Sequence, residues 1–434
     1  MNRQQEFWEL KQELQQLPPE LDGTAQRARQ RAKHRRMGRG FGISLGSLAG
    51  VCAAFILAVN TMPTFALACG RVPILRELAA AVALSPSLSA AVEHDFVQYV
   101  GQTQAIDGVA VTVEYVIADQ QQIVVFYRTD GSGDYRASCN LLVGDGTPLH
   151  GYSVISSDSD GDLKQFEIHC KDVTLPETLV LELSLRRITE TGDSMALDGV
   201  GRFSIHLDPE KTAKAVVVPV EQWVDLDGQR LLVDRMELTP TRTLLYLDED
   251  PSNSAWLQSL DFWFTAPDGT VYDQQDGTVT ATGDTDHPGF YTFYFQSLYF
   301  VDHPERLTLH IAEAVWLDKS EPTVTIDLTS GTWTGTLPEG VVDIEVQPVD
   351  YDGGSALELT VATTTDRMPL DYLFTAPDGS AYDCRGYSYL MADGPEHPAR
   401  CCYYLTGYGW DTITAALSYT DITTPPEPLT IPLS

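Results

Sequence analysis

The sequence is short of basic residues. Its 434 residues include 28 Lys and Arg against 61 Asp and Glu, a formal net charge of −33. Phosphate binding needs clustered cations, so a nucleic-acid partner is not expected. The seven cysteines form no C-x-x-C pair, which argues against a zinc ribbon or a thioredoxin-type centre. Neither H-E-x-x-H nor a P-loop occurs, and the nine histidines are scattered, so no catalytic role and no cofactor are expected. Long helical periods are missing beyond residue 97, which disfavours an α or α/β fold.

The few basic residues are unevenly placed. Residues 1–40 hold nine of them with five acids, and six (Arg29, Arg31, Lys33, Arg35, Arg36 and Arg39) abut a run free of charge from Phe41 to Gly70. Its densest part, residues 41–62, reaches the ~20 residues a helix needs to cross a bilayer. The positive-inside rule then places the N-terminus in the cytoplasm and the bulk of the chain outside the cell membrane. Cleavage after Ala66-Leu67-Ala68 is the rival reading, but a forty-residue basic lead is long for a signal peptide. Residues 63–96 are Ala-rich and read as a juxtamembrane helical segment, lying either on the membrane face or on the first outer domain.

The texture beyond Val97 is strand-like. Runs such as GVAVTVEYVIA (Gly108–Ala118), QIVVFYRT (Gln122–Thr129) and TLVLELSLRRI (Thr178–Ile188) are separated by DG, PDG and DGG turn signals. LDFWFTAPDGTVYD (Leu260–Asp273) recurs as LDYLFTAPDGSAYD (Leu370–Asp383), an offset of 110, shared by His287-Pro288 and His397-Pro398. LLVGDGTPL (Leu141–Leu149) is a fainter third copy. A period near 110 is the size of an immunoglobulin-like sandwich. The expected fold is therefore mainly β: three tandem immunoglobulin-like β-sandwiches at 97–210, 215–330 and 335–434, behind one transmembrane helix. Each PDG reads as a hairpin turn.

Candidate sites are few. Phe7, Leu10, Leu14 and Leu17 form one stripe on a cytoplasmic helix, suited to docking in a partner's groove. Outside the membrane disulfides are permitted, and Cys139–Cys170 and Cys384–Cys401 (or Cys402) are the candidate pairs. Asp158, Asp160 and Asp162 have a spacing that suits Ca²⁺, but lack the distal Glu of a full loop, so no metal site is assigned.

The string VNTMPTFALACGRVPIL (Val59–Leu75) resembles the N-x-S-P-x-F-A…P junction of a family of Gram-positive bacterial membrane proteins, with Met62 in place of the usual Ser. Leu17–Leu21 resembles its leading LPxEL element, and Gly108–Arg128 the start of its outer region. The likeness covers roughly residues 15–130. The family, a domain of unknown function, is often encoded beside extracytoplasmic-function sigma factors and regarded as anti-sigma-factor-like. The resemblance implies a signal-transduction protein that holds a sigma factor through residues 1–40 and senses the envelope outside. The rival is an adhesive or structural envelope protein, which has no need of the cytoplasmic stripe.

Overall fold

The structure, a computed structural model, describes residues 78, 81–83, 85–131, 133–156, 163–170, 173, 175–189, 194–273, 280–284, 287–384, 386–392 and 398–433. All lie in one compact unit, Gly50–Ser434. Among them no helix is long and apolar enough to cross a membrane. The expected span at 41–62, the stripe Phe7, Leu10, Leu14 and Leu17, and the Asp158–Asp162 cluster lie outside the described residues.

The fold is mainly β, in three two-sheet sandwiches with separate apolar cores. In sandwich 1, one sheet has the spatial order Val97–Ile106, Val109–Asp119, Gln122–Thr129, Lys164–Cys170, Tyr152–Ser156. The other pairs Asp134–Val143 with Thr178–Ile188, which also carries Ser194–Ala196 and Gly201–His206. In sandwich 2 the first sheet runs Val216–Leu226, Gln229–Leu238, Thr243–Glu249, His287–Phe295, Ala281–Asp284. In sandwich 3 the corresponding sheet runs Val341–Tyr351, Gly354–Thr363, Ala399–Thr406, Gly386–Leu390. The first two sandwiches open with the same hairpin. Two-residue loops at Asp107-Gly108 (φ 49° and 81°) and Asp227-Gly228 (φ 55° and 85°) supply the positive φ values that match strand twist.

The repeated sequence makes a repeated turn. In Ala266–Thr270 the Ala266 N–H donates to the Thr270 carbonyl at 2.8 Å, and the Gly269 N–H to Ala266 at 2.9 Å. The bonds of Ala376–Ser380 are 2.8 and 2.9 Å, and those of Val143–Thr147 both 2.8 Å. In each an Asp (Asp268, Asp378, Asp145) accepts the N–H two residues on, and the Gly sits at φ between 85° and 87°. The tips of all three turns are exposed, and each turn closes its own hydrogen bonds between two strands.

The sandwich boundaries differ from the sequence expectation. Thr323–Asp327 pairs with Thr412–Leu417 and belongs to sandwich 3, whereas Asp421–Thr423 and Leu429–Pro432 return to pair with Thr308–Asp318 of sandwich 2. Sandwich 3 is thus inserted into sandwich 2 rather than following it. The cause is an open sheet edge. Thr308–Asp318 needs a partner on the side away from Ala255–Thr265, and Ile431 and Leu433, 1% and 3% exposed, complete the core beneath it. Two chain crossings, near 318–323 and 417–421, therefore join these sandwiches. Arg367 of sandwich 3 braces them by an ion pair to Glu313 of sandwich 2 at 2.6 Å.

Candidate functional site

The densest non-local chemistry lies where sandwich 1, sandwich 2 and one helix meet. The helix, α1, spans Pro86–Glu93. Ser85 caps it by accepting the Leu88 N–H at 3.1 Å, and Pro86 fits the first turn, where no N–H is required. Its small residues Ser87, Ser89 and Ala91 are buried beside Leu88, so the backbone can approach a flat sheet closely.

The sheet face it covers is apolar for a traceable reason. In Val109–Asp119 the register slips between Val113 and Tyr115. Val111, Val113, Val116 and Ala118 point into the sandwich core, while Tyr115 and Ile117 point out. In the next strand Ile123, Val125 and Tyr127 point in, and Val124 and Phe126 out. A strand apolar on both faces must be covered on both. Leu78, Val82, Leu88 and Ala91 provide the second cover. The described residues of the segment 63–96 thus pack on protein.

The helix also touches sandwich 2. The Ser297 N–H donates to Ser87 Oγ at 2.7 Å, and Ser297 Oγ donates to the Thr239 carbonyl at 2.5 Å. Just past the helix, His94 stacks on Phe300 with centroids 4.1 Å apart, and Phe96 meets Tyr299 edge-on at 6.1 Å. A single short segment is held by sandwiches 1 and 2.

Beside it the sandwiches are joined by buried polar groups. Asp119, fully buried, ends Val109–Asp119. Its Oδ1 accepts the N–H groups of Gln121 and Gln122, closing its own turn. Its Oδ2 accepts the Thr241 N–H at 3.1 Å and hydroxyl at 2.6 Å, across the boundary. Arg242, 4% exposed, reaches the other way. It donates to His169 Nδ1 at 2.8 Å, lies 3.6 Å from Glu167, and sits over the Tyr294 ring at 4.9 Å. Arginine has no acceptor, so Nδ1 must accept, the ring proton resides on Nε2, and Nε2 donates to Glu167 at 3.1 Å. Burial opposes ionisation of Glu167, yet the His169 hydrogen bond and the Arg242 charge outweigh it and hold the carboxyl below its usual range. Burial and the Arg242 charge together push His169 down against the pull of Glu167, so the ring is neutral. Gln121 to Glu237, at 3.1 Å, extends the contact. A cleft of about 540 Å³ opens beside this junction, lined by residues including Gln120, Glu177 and Lys214.

The other sequence candidates fall elsewhere. Cys139 and Cys170 share the core of sandwich 1, and Cys384 and Cys401 that of sandwich 3, but all four, with Cys402, are free thiols. The expected bridges are therefore replaced by buried thiols. Cys384 Sγ faces the Gly386 and Tyr404 carbonyls, and Cys401 Sγ the Arg367 carbonyl. Burial pushes Cys139, Cys170 and Cys401 up to about 12, the range of an inert packing residue. Among the described residues no cluster of three or more His, Cys, Asp or Glu could hold a metal. The network of Asp119, Glu167, His169 and Arg242 went unread in the sequence. Its one signal was the doubly apolar pair of strands, which demanded a cover and so a junction.

Residues 39–131 match the model of a domain of unknown function, DUF4179. Residues 215–347 match that of a family of unknown function, DUF5643. No curated protein matches the chain. Among solved structures it is similar to a conserved domain protein from Bacillus anthracis, at 15% identity over 61% of this chain and 85% of that one, TM-score 0.38. It also aligns with an uncharacterized protein from Listeria monocytogenes EGD-e, at 8% identity over 69% of this chain and 29% of that one, TM-score 0.13.

Proposed function

We propose that the chain is a single-pass membrane regulator of the anti-sigma-factor-like kind. Residues 1–40 hold a sigma factor in the cytoplasm through Phe7, Leu10, Leu14 and Leu17, and the outer sandwiches, which we read as immunoglobulin-like, sense the envelope. The role is binding and relay rather than catalysis. One observation carries the reading. The segment that follows the expected span is buried between two outer sandwiches, with α1 on the Tyr115–Phe126 face and His94 on Phe300. A change in how those sandwiches meet must move the helix, and with it the chain leading to the membrane. An adhesive anchor has no need of that seat.

The test is a crosslinking pull-down from cells with the full chain, compared with the Leu10→Asp/Leu14→Asp double variant. Capture of a sigma factor by the unaltered chain and its loss from the variant are expected. Capture of no sigma factor by a chain shown to be intact and membrane-inserted would sink the reading and leave the adhesive role.

A further inference from the structure

We propose that the junction between sandwiches 1 and 2 is an acid-opened latch, with His169 as the group that releases it. His169 is 9% exposed and bonded on both ring nitrogens. The bond that crosses the boundary, Arg242 Nη1–H to Nδ1, exists only while Nδ1 carries no proton. A proton added there turns the acceptor into a donor facing a donor. It also places an imidazolium 2.8 Å from a guanidinium in a largely buried site.

The neighbouring charges do not rescue the protonated form. Glu167, on the same strand, is the one carboxylate among the described residues in contact with the ring, and it is already engaged by Nε2–H and by Arg242. From the facing strands, Tyr294 presents a ring edge at 6.3 Å. Asp119 is saturated by Gln121, Gln122 and Thr241. Glu237 is taken by Arg235, Gln121 and Tyr246. Cys170, next along the strand, is a thiol held neutral by burial. With each of these anions engaged, relief of the His169–Arg242 clash requires the two sandwiches to part at Arg242. The folded ring resists its proton, so opening takes one up. The open state gains as pH falls below the ordinary His value of 6.5, by up to tenfold per pH unit, and the gain levels off once the depressed closed-state value is passed. Because α1 bridges the same two bodies through Ser87–Ser297 and His94–Phe300, release at Arg242 loosens its seat.

The experiment is hydrogen exchange on the full chain in detergent from pH 7.5 to 4.5, corrected for intrinsic rates. Wild type is compared with His169→Gln, whose amide can accept from Arg242 and donate to Glu167 without titrating. Peptides 163–170 and 239–243 of wild type should lose protection progressively as pH falls below 6.5, while 401–405 in sandwich 3 holds. The variant should stay flat. An unchanged wild-type junction, or a variant that opens as much as wild type, overturns the latch. Should the variant fail to fold, the NMR titration of the His169 ring in wild type decides. A midpoint matching the loss of protection supports the latch, and a mismatch refutes it.

Discussion

Replacing Ile431 with Ala tests the inserted topology, because its cost should appear far from its neighbours in sequence. Ile431 is 1% exposed in the core of sandwich 2, opposite Leu309 in the ladder with Thr308–Asp318. Truncating a fully buried Ile leaves a cavity in a packed interior and costs about 2–5 kcal/mol. Taking ~3 kcal/mol, at 1.4 kcal/mol per tenfold, the opening equilibrium of sandwich 2 rises roughly a hundredfold. Exchange read by peptide should show this at Phe262–Phe264 and Phe293–Phe295, whose rings share that core. Leu359–Val361 and Tyr403–Leu405 belong to the core of sandwich 3 and should move little. The opposite result, with sandwich 3 loosened and sandwich 2 intact, would refute the insertion and restore the sequential boundary at 335.

Other outcomes follow from the same geometry. Glu167→Gln leaves Arg242 buried beside a neutral partner and should cost about 3–5 kcal/mol by denaturant titration. In wild type the carboxyl is held below its ordinary value of 4.5, so its contribution is present above pH 4.5 and lost as pH falls through the depressed value. That loss should be visible as a melting temperature that drops on acidification and drops less in the variant. Gly269→Ala and Gly379→Ala meet no neighbouring atom but force a side chain to φ near +85°, so each should cost a similar ~1–2 kcal/mol by thermal melting. The thiols Cys139, Cys170 and Cys401 should resist a thiol reagent until the chain is unfolded, and reductant should leave the melting temperature unchanged. Rapid native labelling, or destabilisation by reductant, would contradict the buried free thiols.

What the sequence disclosed was local. Alternation and turn chemistry located the strands, and the 110-residue repeat located matching hairpins, because a PDG turn is specified by four adjacent residues. The partner of a sheet edge is not specified that way. Residues 421–432 have the same alternating texture whether they finish sandwich 3 or cross back to sandwich 2. The choice is made by which edge is vacant, and Thr323–Asp327 had already filled the one in sandwich 3.

The junction was hidden for a related reason. Asp119, Glu167, His169 and Arg242 span more than a hundred residues and form no motif, and each alone reads as an ordinary surface residue of a strand or turn. Only the tertiary fold makes them a set. The cost of burying them then becomes informative. A charged network in place of apolar packing is rarely the more stable choice, and the opposite face of the same sheet shows that this chain can supply Val and Phe where only adhesion is needed. A histidine held neutral between an arginine and a glutamate adds a dependence on protons that apolar packing cannot provide. The same boundary is crossed by α1, so whatever weakens the ionic contact acts on the helix that follows the expected span.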